Sequence, residues 1–198
     1  MLWRSACQVS FCLFSLAAGV ASEVAGNTHR PIIYLIRHGE KSGDPNDHEL
    51  TYEGIMRAEC LRDFFGADSG YNISYIMAPA MEKNGEHGRA LKTALPLAKD
   101  LGLEVDVHCG KQMGAFELQC VADAARSYDG PGNVLLVWRH KSMATIAKLL
   151  GVKHHVKYPK KRYDIMWTIP HPYNRVTEVQ SEHCPGLDME TERLIVQH

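Results

Sequence analysis

Pro31-Ile32-Ile33-Tyr34-Leu35-Ile36-Arg37-His38-Gly39-Glu40 is the stretch on which the reading of this chain turns. Ile32 to Ile36 form an unbroken apolar and β-branched run behind a proline, and the run ends at charge. A strand with no polar face suits the middle of a sheet covered by helices on both sides. In open parallel sheets, ligands gather outside the carboxyl ends of the strands. The residues delivered to that end here are an arginine, a histidine and a glycine. The imidazole is a candidate nucleophile, and a glycine beside it lets backbone approach a ligand closely.

Working outward, Gly39 to Leu50 is rich in Gly, Asp, Asn and Pro and reads as a loop. Thr51-Tyr52-Glu53-Gly54 precedes a helical pattern through Phe65, with Ile55, Ala58, Leu61 and Phe65 expected on the inward face. A second strand is expected at 73–77, then a loop at 78–88. A second helix at 89–101 has Leu91, Ala94, Leu95 and Ala98 inward and Gly102 as its stop. A short strand at 104–107 follows, and 109–130 reads as irregular with a helix around 121–128. Further strands are expected at 134–138, 164–168 and 175–180, and a third helix at 142–150. Strands alternating with helices give one α/β domain, a three-layer sandwich with a mostly parallel central sheet.

The 198 residues are enough for one sizeable core. A formal net charge of -1, with no long basic run, argues against nucleic-acid or polybasic membrane binding. Lys157, Lys160, Lys161 and Arg162 form the densest basic group and read as a solvated loop. The amino terminus differs. Arg4 is followed by an uncharged apolar or small stretch from Ser5 to Val20, which ends in Gly19-Val20-Ala21. That is the pattern of a secretory signal peptide over 1–21, leaving 22–198 as a secreted or secretory-pathway domain with no stable membrane association after cleavage. Cys60, Cys109, Cys120 and Cys184 remain, and four cysteines in an oxidising compartment permit three connectivities. Cys109 with Cys120 is the preferred pair because they are close in sequence, which leaves Cys60 with Cys184. Neither CxxC nor paired-histidine spacing occurs, so no metal is expected. Asn72-Ile73-Ser74 is an N-glycosylation sequon.

A second strand end, Trp138-Arg139-His140, also delivers a histidine. A phosphoryl group needs rigid multidentate donors, for which arginine is best suited. Arg37 supplies one, and Arg89, at the start of a helix with free N–H groups, supplies another. At this point the sequence resembles a known family. Leu35-Ile36-Arg37-His38-Gly39-Glu40 looks like the hallmark of the histidine phosphatase superfamily, the phosphoglycerate-mutase-like fold. Arg89-Ala90-Leu91-Lys92-Thr93-Ala94 is similar to that family's second arginine motif, and His140 stands where the family has its second core histidine. The resemblance covers roughly 31–150. The RHGEK start, Trp167-Thr168-Ile169-Pro170 and Glu182-His183-Cys184-Pro185-Gly186 further resemble a fungal branch assigned to the phosphoglycerate mutase family.

The resemblance implies that His38 is phosphorylated, while Arg37, Arg89 and His140 hold the phosphoryl oxygens, with Gly39 and Lys141 as neighbours of the pocket. It implies a metal-independent phosphomonoesterase acting on a small phosphorylated or anionic substrate, with no cofactor. The family usually has glycine, or an acidic proton donor, after the second histidine, whereas Lys141 stands here and Arg139 precedes. The general acid is therefore sought elsewhere, with Glu117, Glu82 and Glu40 as candidates in that order. Two alternatives stay open: a weak or inactive phosphoryl-binding protein on the same fold, or a biosynthetic enzyme using the anion pocket for other chemistry.

Overall fold

The computed structural model describes residues 30–111 and 114–188. The expected signal peptide lies outside the described residues. Strands β1 (Ile33–Arg37), β2 (Ile73–Met77), β3 (Val105–Asp106), β4 (Asn133–Trp138), β5 (Ile165–Ile169) and β6 (Glu178–Ser181) form one sheet in the order β3-β2-β4-β1-β5-β6. β1, β2, β3 and β4 run parallel, and β5 and β6 extend the sheet antiparallel. Helices α1 (Tyr52–Phe65), α2 (Gly88–Leu101), α3 (Ala115–Ser127) and α4 (His140–Leu150) complete the fold, with a 3-10 turn at His108–Lys111.

The expected central strand is fully buried, and its side chains divide by alternation. Tyr34 and Ile36 pack with Leu61 and Phe65 of α1 and Ala90, Ala94 and Leu97 of α2. Ile33 and Leu35 pack with Val121 and Ala125 of α3 and Met143 and Ile146 of α4. The result is the expected three-layer α/β arrangement with a mixed sheet. The β1–β4 register sets Arg37 opposite Trp138, and the His38 N–H donates to the Trp138 carbonyl at 3.0 Å. The two histidine-bearing strand ends therefore lie side by side.

Three local expectations are corrected. Ile55 is 51% exposed, because the buried stripe of α1 runs Gly54-Arg57-Ala58-Leu61-Phe65 and includes an arginine that a hydrophobic pattern passes over. Leu95 of α2 is 48% exposed and Leu91 only partly buried; Ala90, Thr93, Ala94, Leu97 and Ala98 form the inward stripe. In the stretch read as irregular, α3 begins at Ala115, six residues ahead of the expected helix, after Gly114 takes a φ of +69°. The preferred disulfides, Cys109–Cys120 and Cys60–Cys184, are both present.

The loop after β1 is held by a close backbone contact and a buried ionic cluster. A Cβ on Gly54 would lie 2.4 Å from the Glu40 carbonyl oxygen, and one on Gly39 would lie 2.7 Å from the Gly54 carbonyl oxygen. One turn further along α1, Arg57 is buried and donates to Glu40 (2.7 Å), Glu182 (2.8 Å) and Asp188 (2.6 Å). Burial opposes the charge on Arg57, but its three carboxylate partners more than compensate and raise its pKa. Glu182 shows the opposite balance. Burial pushes its carboxyl up to about 8 despite Arg57, and its Oε1 has no partner among the described residues. One cation facing three carboxylates thus favours a proton on Glu182.

Two outcomes follow from this loop anchor. Gly54→Ala should cost about 1–3 kcal/mol, as overpacking against backbone does, measured by denaturant unfolding. An unchanged midpoint would show that α1 can shift without cost. For Glu182, the folded state binds a proton more tightly than the unfolded state, whose carboxyl has the ordinary value of 4.5. Its contribution to stability is therefore complete below about pH 4.5 and is lost as the pH rises towards 8. Glu182→Gln should flatten the decline in Tm across that window, and parallel Tm–pH curves for the two proteins would refute the assignment.

Candidate functional site

The carboxyl end of β1 presents Arg37 and His38, both at least 94% buried. His38 Nδ1 lies 2.7 Å from the Gly39 carbonyl oxygen. A carbonyl only accepts, so Nδ1 carries the proton and Nε2 bears the free lone pair in the neutral ring. The His38 pKa falls to about 4, chiefly through burial, with the charges of Arg37, Arg89 and Lys41 adding to the fall and the Gly39 carbonyl opposing it. The ring is therefore a neutral base at pH 5–8.

Gly39 is fixed in turn. Its N–H donates to Thr93 Oγ1 at 2.9 Å, and the same hydroxyl donates to the Arg89 carbonyl at 2.8 Å. Thr93 and Arg89 belong to one helical turn of α2, so a single hydroxyl couples the histidine loop to the second arginine. Arg89 lies next to the amino terminus of α2 and donates from Nη1 to the Asp47 carbonyl at 2.7 Å. Arg37 donates from Nη1 to the carbonyls of Lys160 (3.0 Å) and Arg162 (2.8 Å), and its guanidinium carbon lies 3.7 Å from the Tyr163 ring centre. Its buried Nε has no partner among the described residues.

His140 opens α4, with Nε2 at 3.3 Å from the Tyr158 carbonyl oxygen. Burial lowers its pKa first, and the charges of Arg37, Lys160 and Lys141 add to this against the Tyr158 carbonyl. His38 and His140 thus feel a shared field of cations, with Arg37 acting on both. Lys141 is exposed, next to His140 in the first turn of α4. The basic loop read from sequence as merely solvated keeps Lys160 and Lys161 exposed, yet its backbone carbonyls hold Arg37.

The three candidate acids separate. Glu40 is bound to Arg57. Glu117 is buried and its Oε2 takes a hydrogen bond from Arg139 Nη2. Glu82, on an exposed loop, lies 3.0 Å from His87 Nδ1. Glu82 and Glu117 line one cleft with His87, Arg139 and Ser142, beside the start of α4. Asn72 is exposed directly before β2, with φ +48° and its carbonyl accepting from the Asn133 N–H at 2.8 Å. Sequence reasoning missed Tyr163, Thr93 and the Arg57 cluster. Thr93 alone had a signal, as the threonine of the second arginine motif.

No protein-family model matches the sequence, and no curated protein is significantly similar to it. Solved structures do share its fold. A protein assigned as the phosphohistidine phosphatase SixA from Agrobacterium tumefaciens is 15% identical over 77% of this chain and 99% of its own, with a TM-score of 0.50. A second such assignment, from Nakamurella, is 12% identical over 77% and 96%, with a TM-score of 0.51. A mycobacterial glucosyl-3-phosphoglycerate phosphatase, solved with inorganic phosphate, is 15% identical over 77% and 95%, with a TM-score of 0.50. These neighbours are histidine phosphatase superfamily proteins, and the fold of this chain is their phosphoglycerate-mutase-like α/β fold.

Proposed function

We propose that this chain is a metal-independent phosphomonoesterase that works through a phosphohistidine at His38. The observation that carries the reading is the tautomer of His38. With Nδ1–H donated to Gly39 and a pKa near 4, Nε2 is an unprotonated nucleophile inside a cluster of cations. His38 Nε2 attacks phosphorus and the ester P–O bond breaks. Arg37, Arg89 and His140 bind the phosphoryl oxygens, Gly39 leaves room for them, and Lys141 adds positive charge next to His140. Water then attacks the phosphohistidine, releasing inorganic phosphate and restoring the neutral ring. An arriving phosphate supplies the negative charge that this cation cluster lacks. The substrate is a small phosphorylated molecule, and the phosphate found in the mycobacterial neighbour is consistent with that class.

Glu117 is the preferred proton donor to the leaving group. Glu82 shares its cleft, whereas Glu40 is committed to Arg57. The two disulfides support folding in an oxidising compartment. Together with the signal-like amino terminus and the exposed Asn72 sequon, they support secretion as a glycoprotein. One observation favours phosphoryl binding without turnover as a second reading: Arg139 occupies one oxygen of Glu117.

Activity on an aryl phosphate should fall to background in His38→Ala while Tm is kept, and acid-labile [32P]phosphate should be lost from the quenched protein. Turnover surviving in the variant would refute the phosphohistidine route. Glu117→Gln should slow alkyl phosphates by about 10²- to 10⁴-fold, the usual contribution of a general acid, and aryl phosphates much less. Equal slowing of both classes would remove Glu117 from the acid role. A wild-type protein that binds phosphate but turns over neither class would favour the binding-only reading.

A further inference from the structure

Away from the phosphate pocket, the corner between β3 and α3 gathers His108, Cys109 and Cys120. Among the described residues, these are three potential ligands with their donor atoms within 4.8 Å of one another. The histidine is aimed. Its Nδ1 lies 2.7 Å from Asp106 Oδ1, and its own backbone N–H donates to the same oxygen at 2.8 Å. The other carboxylate oxygen accepts from Tyr75 Oη at 2.5 Å. Nδ1 is therefore the protonated nitrogen, and the free lone pair sits on Nε2. That lone pair faces sulfur, with Nε2 at 3.2 Å from Cys109 Sγ and 3.4 Å from Cys120 Sγ. A disulfide has no proton to offer that lone pair, so in the oxidised state the neutral ring meets sulfur without a hydrogen bond.

A tetrahedral zinc ion uses it. With Zn–S near 2.3 Å and Zn–N near 2.0–2.1 Å, tetrahedral angles place a ligating nitrogen roughly 3.5 Å from each sulfur, and the sulfurs roughly 3.7 Å apart. Both nitrogen–sulfur distances already approach that value. Cleavage of the bridge lets the sulfurs separate to van der Waals contact, which is close to the remaining distance. The carboxylate behind Nδ1 is the usual outer partner of a zinc-bound histidine, fixing its tautomer and raising its basicity. His108 is over half exposed, so the ion has a path in.

We propose that reduction of Cys109–Cys120 converts this corner into a zinc site, with Cys109 Sγ, Cys120 Sγ and His108 Nε2 as ligands and a water as the fourth. A dithiol reductant gives two electrons and two protons to the bridge and leaves as its own disulfide. Zn2+ then displaces both thiol protons to solvent and binds two thiolates and the neutral imidazole. The corner keeps its closure in either redox state, by a covalent bond when oxidised and by metal when reduced. This secures the amino end of α3, which carries Glu117. Sequence spacing hid the site, because the histidine adjoins one cysteine and the second cysteine lies a helical segment away.

The test uses the full chain, oxidised or reduced with a phosphine (itself oxidised to the phosphine oxide), and titrated with Zn2+ against a chromophoric chelator. The reduced wild type should take up one zinc more tightly than the oxidised form by at least 100-fold. Cys109→Ser/Cys120→Ser, which retains Cys60 and Cys184, should lose that zinc. His108→Ala should bind at least 10-fold more weakly with its far-UV circular dichroism unchanged. Co2+ in place of zinc should show the charge-transfer bands of thiolate ligation in the wild type and lose them in the double serine variant. Equal zinc uptake by oxidised and reduced wild type, or full retention by the double serine variant, would overturn the proposal. Undiminished affinity in His108→Ala would overturn the histidine ligand.

Discussion

The guanidinium of Arg57 binds Glu40, Glu182 and Asp188 at once, and this ties three distant parts of the chain to one point. Glu40 lies two residues after His38 in the loop that follows β1, Arg57 lies on the first helix, and the other two carboxylates come from the segment after β6. A buried charge is tolerable only when its hydrogen-bonding groups are met. Once Arg57 is buried, the loop and the carboxyl-terminal segment must both close on it. The Gly39–Gly54 backbone contact and the Cys60–Cys184 bridge then fall within the same small region. A residue on the exposed side of α1 could not do this, because water would compete for each carboxylate.

The candidate pocket works by the opposite logic. Arg37 spends one nitrogen on backbone carbonyls and stacks on Tyr163, so its charge is positioned without being neutralised by a carboxylate. Arg89 is likewise held by a carbonyl. Burial first, and the charges of these cations after it, push the two histidines towards their neutral forms. For His38 this leaves the lone pair on Nε2 free in the neutral ring. Two of the candidate acids are committed to cations of their own: Glu40 to Arg57 and Glu117 to Arg139.

The 3-10 turn and α3 form a third, separately closed unit. Gly110 packs so tightly on Ala80 that a Cβ there would lie 2.0 Å from the Ala80 nitrogen, which brings this corner against the loop that leads to Glu82. Gly110 also lines the cleft that Glu82 and Glu117 share.

Local chemistry alone determined the central strand, the order of strands and helices and the layered α/β class. An unbroken apolar run, helix stop signals and alternation are properties of neighbours in sequence. The preferred disulfides were also legible, one from the short spacing of Cys109 and Cys120 and the other by elimination. The arginine–histidine–glycine strand end pointed to an anion-binding strand terminus for the same local reason. The tertiary structure alone decided which carboxylates are free, because Glu40, Glu117 and Glu82 look alike in sequence and differ only in the cation each one meets. It also decided that Ile55 and Leu95 face water while Arg57 is buried, against the simple hydrophobic pattern. Burial follows from what packs across a helix, and an arginine can occupy a core stripe when three carboxylates from elsewhere in the chain arrive to bind it.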